Sequence, residues 1–248
     1  MTNAPDFLNL PDGTKLAYRK SDGQGPTVIW CGGLKSDMES TKATFLEHWA
    51  QERSQAFIRF DYYGHGVSDG VFTEGTISRW SDDIIAILDA LCEEKCIFIG
   101  SSMGGWAAFL AALERSDRVE GIILINPAPD FTEKLTYAAW TEAQKKNLEK
   151  NGIVYEPSGY EEPYAYSKKL MDDGRARQIL DAPILLNCPI RILQGAEDSV
   201  VPPDHSRKIV KAVESEDVTY TLVKGGDHSL SREQDLMLLA QILSGLLY

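Results

Sequence analysis

No apolar run in the sequence reaches the roughly 18 residues that a membrane-spanning helix needs. The first residues, MTNAPDFLNLPDG, also lack the basic stretch and apolar core of a secretory or transit leader. We therefore expect a cytoplasmic protein with no stable membrane insertion. Basic residues are in short supply, with 25 Lys and Arg against 37 Asp and Glu and a net charge of −12. They are scattered rather than clustered, which argues against nucleic acid or an anionic membrane surface as the partner. The four cysteines, at 31, 92, 96 and 188, follow no zinc-site spacing and lie in or beside apolar runs, so we read them as reduced, buried and structural. Neither they nor the four histidines form a cluster that would hold a metal, and no metal or organic cofactor is expected.

What is present is a chain of 248 residues, 43% hydrophobic and 25% charged, long enough for one large domain with a sizeable core. Residues 7–20 alternate weakly around Pro11-Asp12-Gly13 and read as an edge hairpin. Residues 27–31 form an apolar strand that stops at Gly32-Gly33-Leu34. An amphipathic helix follows over about 37–52, then a strand at 56–60. Trp80, Ile84, Ile87, Leu88 and Leu91 repeat at helical spacing. Further apolar strands read at 97–99, 121–126, 190–194 and 218–223, with a helix over 103–115. This alternation predicts an α/β fold with a mostly parallel, doubly wound sheet. Between 127 and 187 no strand-like apolar run is found, although a crossover needs little more than a dozen residues. We read residues 1–130 and 188–248 as the core and 131–187 as a helical lid inserted after the sixth strand. The insertion carries Tyr137, Trp140, Tyr155, Tyr160, Tyr164 and Tyr166, with helix-like stretches near 131–150 and 163–170. Tyr137 and Trp140 are expected to line a pocket beneath it.

The chemistry-bearing stretch is CIFIGSSMGGW, residues 96–106, in which an apolar strand enters a glycine turn and then a helix. A serine exposed on so sharp a strand-to-helix turn needs neighbours without side chains two positions before and after it. Gly100 and Gly104 flank Ser102 in this way, whereas Ser101 would need a glycine at Ile99. Gly100-Ser101-Ser102-Met103-Gly104 fits G-x-S-x-G, the nucleophile elbow of α/β-hydrolases. The segments 40–43, 58–62, 187–191 and 227–228 extend the likeness over most of the core. On these residues the chain resembles the α/β-hydrolase superfamily, and within it the serine esterases and acyl-protein thioesterases.

The resemblance implies roles for further residues. The family's order of nucleophile, acid and base places the acid in Gly195-Ala196-Glu197-Asp198, where Asp198 is preferred and Glu197 stays open, and the base at His228 before the last helix. Ser231 and Gln234 look like that helix's capping box. His65, between two glycines, reads as a turn residue or hydrogen-bonding strut rather than a base. Backbone N–H groups of Leu34 and Met103 are the expected oxyanion donors. The implied activity is hydrolysis of carboxylic esters or thioesters, on small molecules or acylated proteins, through an acyl-enzyme. Two alternatives stay open: lactone or carbon–carbon bond cleavage on the same triad, and a non-catalytic ligand receptor on the same fold.

Overall fold

The computed structural model describes residues 4–158 and 163–247, so Tyr160 lies outside the described residues. Its centre is a sheet of eight strands. They are β1 (Asp6–Asn9), β2 (Lys15–Ser21), β3 (Gln24–Cys31), β4 (Gln55–Phe60), β5 (Cys96–Ser101), β6 (Val119–Ile125), β9 (Ile190–Gly195) and β10 (Val218–Val223). Their order is β1-β2-β4-β3-β5-β6-β9-β10. From β4 to β10 all neighbours run parallel, while β2 joins β4 antiparallel and β1 closes the edge hairpin.

Alternate residues of the central strands feed two cores, as the two-residue side-chain period of a strand requires. Val28 and Trp30 of β3 pack with α1 (Thr41–Gln51) and α7 (Glu233–Leu247). Ile29 and Cys31 pack on the other face with α2 (Ile77–Leu91) and α3 (Met103–Glu114). On α2, the residues Trp80, Ile84, Ile87 and Leu88 are buried at the spacing read from the sequence. Helix α3 is apolar nearly all round, and Ala107, Ala108, Ala111 and Ala112 have no exposed surface, as a helix packed on several sides should. Helix α6 (Pro203–Ala212) joins β9 to β10.

Between β6 and β9 the chain leaves the sheet. Residues Thr132–Tyr137 form a π-helical turn, followed by α4 (Glu142–Asn151), then β7 (Ile153–Glu156), β8 (Tyr164–Ser167) and α5 (Lys168–Ala176). The expected helical lid has its helices but also a hairpin that the sequence reading missed, because β7 and β8 pair antiparallel. Each spans only four residues, IVYE and YAYS, too short to stand out as an apolar run; Val154 and Tyr166 turn inward while Tyr155 is exposed. Thr141 and Gln144 cap α4 reciprocally, and Gly152 ends it in the left-handed region at φ 75°. Two carboxylates, the buried Asp130 and the half-buried Asp173, fasten the insertion. Asp130 accepts from the amides of Ile179 (2.8 Å) and Leu180 (3.0 Å), and Asp173 accepts from the amide (2.9 Å) and hydroxyl (2.6 Å) of Ser78 on α2.

A correction concerns the start of α7, which begins at Glu233, so Ser231 does not cap it. Asp235 instead accepts from the amide of Arg232 at 3.2 Å and from its guanidinium at 2.8 Å, while the Ser231 hydroxyl turns to the Ser229 carbonyl.

Candidate active site

Ser102 sits between β5 and α3 at φ 53° and ψ −120°, a conformation rarely adopted by a residue with a side chain. The surroundings hold it there. Its N–H donates to the Ile125 carbonyl at 2.9 Å, and its carbonyl accepts from Gly105 (3.0 Å) and Ala128 (3.1 Å). A Cβ at Gly104 would lie 2.2 Å from the Cys31 carbonyl oxygen, and one at Gly100 would lie 2.6 Å from Gly105 Cα. The motif's glycines are thus demanded by backbone contacts that cannot yield.

His228 reaches over from the loop between β10 and α7. Its Nε2 lies 3.1 Å from Ser102 Oγ, and its Nδ1 lies 2.8 Å from Asp198 Oδ2. With the proton on Nδ1, the ring donates to the carboxylate and accepts from the serine hydroxyl. Asp198 is buried, and its other oxygen accepts from the amides of Val200 and Val201, each at 2.8 Å. Glu197, left open as an alternative, is exposed and points into the neighbouring cavity. The geometry therefore brings together Ser102, His228 and Asp198.

Leu34 and Met103 both face the cavity beside Ser102. The Met103 amide is the first of α3, where no intrahelical partner is available. Gly33 packs against the elbow, since a Cβ there would stand 3.5 Å from the Ser101 carbonyl oxygen. The next amide, Lys35 N–H, donates to His65 Nε2 at 3.1 Å, while His65 Nδ1 donates to the Tyr63 carbonyl at 3.2 Å. His65 is a buried strut beneath the Gly33–Lys35 turn. Burial pushes its pKa down to about 4, and nearby Lys35 adds to this, so the ring stays neutral and keeps its acceptor nitrogen.

The cavity above Ser102 measures about 640 Å³. The lid contributes Phe131, Leu135, Thr136, Tyr164 and Tyr166 to its walls, while Ser40, Thr41, Lys42, Ser229 and Ser231 come from the start of α1 and the loop before α7. Tyr137 and Trp140, the expected pocket residues, do not line it. Tyr137 faces outward between Lys145 Nζ and Arg175, at 5.1 and 5.3 Å from its ring centre. Trp140 is buried within the lid, donating from Nε1 to Glu156 at 2.7 Å and stacking edge-on with Tyr166. Phe131 and Leu135 take the inner positions, and helical spacing puts Tyr137 on the side opposite Leu135.

Comparison with known proteins identifies the family. A model of the Hydrolase_4 family, with the description serine aminopeptidase, S33, matches residues 25–168 and 174–235. The chain belongs to the α/β-hydrolase superfamily. The human palmitoyl-protein thioesterase ABHD10, mitochondrial, is 36% identical over 243 residues, covering 97% of this chain and 79% of the relative. The structure of mouse α/β hydrolase domain-containing protein 10 matches with TM-score 0.91 and 33% identity, over 98% of both chains. A solved structure from Agrobacterium vitis S4 matches with TM-score 0.93 and 39% identity, over 100% of this chain and 99% of that one. The protein is a serine hydrolase of the α/β fold.

Proposed function

We propose that the protein hydrolyses carboxylic esters or thioesters through an acyl-enzyme on Ser102. His228 Nε2 takes the proton from Ser102 Oγ as that oxygen bonds to the acyl carbon, and Asp198 holds the ring in position and stabilises the imidazolium. The oxyanion accepts from the amides of Leu34 and Met103. The tetrahedral intermediate then expels the alkoxide or thiolate, which takes the proton from His228. Water adds to the acyl-enzyme in the same way, giving the carboxylic acid and free Ser102. The observation that carries this reading is the Ser102–His228–Asp198 relay, at 3.1 and 2.8 Å, opening onto a cavity with a lid wall of Phe131, Leu135 and Tyr166. That wall suits the acyl chain, and the substrates we propose are small-molecule esters or thioesters and acylated proteins. The names of the ABHD10 relatives support the thioester branch.

The test is labelling with a fluorophosphonate, followed by turnover of acyl thioesters and p-nitrophenyl esters. Ser102→Ala should abolish labelling and turnover and leave the far-UV circular dichroism unchanged. Loss of activity in Ser101→Ala but not in Ser102→Ala would overturn the assignment. Labelling without hydrolysis of any acyl ester or thioester, but with opening of lactones, would move the reaction to the lactone alternative.

A further inference from the structure

His228 is carried by residues 224–232, a stretch between β10 and α7 with no regular structure. Such a loop does not by its own hydrogen bonding fix a side chain to a fraction of an ångström. Here, three successive carbonyls of the loop are held by side chains from elsewhere. Asn126 Nδ2 donates to the Asp227 carbonyl at 3.0 Å and to the His228 carbonyl at 2.8 Å. Lys42 Nζ donates to the Ser229 carbonyl at 2.5 Å and reaches the Ser231 hydroxyl at 3.4 Å. Asn126 follows β6 and Lys42 lies in the first turn of α1, so the loop is gripped from two elements.

Asn126 does more than hold the base. Its Oδ1 accepts from the Gly195 amide at 2.7 Å, and its own N–H donates to the Leu193 carbonyl at 2.8 Å. Gly195 ends the strand that delivers Asp198, and its carbonyl accepts from the Asp198 amide at 3.4 Å. One carboxamide therefore spans the acid's strand end and the base's loop. The side chain has no exposed surface, and its backbone stands at φ 44°, a conformation more readily tolerated by Asn than by most residues. Both ends of the amide are used: two donor hydrogens face two carbonyls and the oxygen faces an N–H. A carboxylate of the same shape would set an acceptor against two acceptors.

We infer that Asn126 and Lys42 are positioning residues that hold the His228 backbone so that Nε2 and Nδ1 meet Ser102 and Asp198 together. The inference rests on His228 being the base. Misplacement of a reacting group by about 1 Å costs on the order of a hundredfold in rate, so the effect belongs in kcat and not in substrate binding.

The experiment compares Asn126→Asp, Asn126→Ala, Lys42→Met and Lys42→Arg with the intact protein on one acyl thioester. kcat is expressed per active site titrated with the fluorophosphonate, which removes misfolded protein from the comparison. Both Asn126 variants should lower kcat per labelled site and the labelling rate constant by about ten- to a hundredfold, with KM changed less than threefold. Lys42→Met should lose about three- to tenfold in the same two quantities, and Lys42→Arg should recover most of it. Unchanged kcat per labelled site in the Asn126 variants, with only a lower melting temperature, would overturn the proposal by reducing Asn126 to a structural role. A rise in KM in Lys42→Met at an unaltered labelling rate would overturn the Lys42 half and assign that residue to substrate contact. Should neither Asn126 variant fold, the Lys42 pair decides by the same criteria. Full turnover in His228→Ala would instead defeat the underlying assignment of the base, an outcome distinct from any of these.

Discussion

At Ser102 one residue stores strain so that its hydroxyl can stand clear of the sheet, and two glycines make the strain affordable. A methyl group at Gly104 would meet the carbonyl oxygens of Cys31 and Gly32 at 2.2 and 2.3 Å, both of them backbone at the end of β3. Relief requires that strand end to move, and Leu34 follows it two residues later. Gly104→Ala should therefore lose about 1–3 kcal/mol of stability, as overpacked sites do, and at least about a hundredfold in kcat through the displaced oxyanion turn. Urea denaturation and thioester turnover on the same preparation check both. Activity near that of the intact protein would remove Leu34 from the oxyanion site. Asp198→Asn should cost about ten-thousandfold in kcat, as in other serine triads, whereas Glu197→Gln should cost little. The reverse ranking would exchange their roles. Ser102 was legible in the sequence because glycine spacing reflects local backbone geometry, and His228 because the family resemblance implies a base before the last helix. The choice between Asp198 and Glu197 was not, since it rests on which carboxylate meets the amides of Val200 and Val201. Nor were Asn126 and Lys42, whose loop partners lie 101 to 189 residues away in the chain.

The loop between β4 and α2 shows how a buried element ties stability to pH. His65 titrates near 6.5 when unfolded and at about 4 in the fold, chiefly through burial. Between those values the unfolded chain binds a proton that the folded chain does not, so this group's contribution is fully present above pH 6.5 and is lost as pH falls toward 4. Asp83 works in the opposite direction. It accepts from the Tyr63 amide at 2.8 Å, yet burial raises its carboxyl from 3.8 to about 6, so the fold binds the extra proton and this group favours folding as pH falls through 6. The two oppose each other, and the net acid sensitivity of the intact protein conceals both. The difference in unfolding free energy between the intact protein and His65→Asn isolates the histidine. It should shrink by about 2 kcal/mol between pH 7 and pH 4.5, while the corresponding difference for Asp83→Asn should move the other way. A His65 difference independent of pH would mean that the ring takes up its proton as readily in the fold as in the unfolded chain. That strut was foreseen from the glycines on either side of His65, but its bond to the Lys35 amide was not. The lid was legible as surplus chain, while its hairpin was hidden by strands of four residues.

Over the whole molecule, the parallel sheet brings loops from distant parts of the chain to one end, and the lid closes a cavity of about 640 Å³ above them. The core strands could be read in order because strands buried on both faces form continuous apolar runs. The contents of the cavity could not, because they depend on how the lid is turned, which Asp130 and Asp173 help to fix through bonds spanning 49 to 95 residues. The lid wall of Phe131, Leu135 and Tyr166 suits an acyl chain and carries the last prediction. Each methylene buried there is worth up to about 0.8 kcal/mol. Four more would supply up to roughly 3 kcal/mol, or about a hundredfold in kcat/KM, before the entropy of ordering the chain is subtracted. kcat/KM on acyl thioesters should therefore climb from acetyl toward a medium-chain optimum. Leu135→Ala should lower or shift that optimum, because it removes part of the wall. Tyr137→Ala should leave the profile unchanged, because that ring faces Lys145 and Arg175 on the outer surface. Trp140→Ala should act through the lid's stability, lowering the melting temperature and depressing all chain lengths together. A profile that favours acetyl, or one that responds to Tyr137→Ala and not to Leu135→Ala, would place the acyl chain away from the lid wall and leave that wall to contact the leaving group.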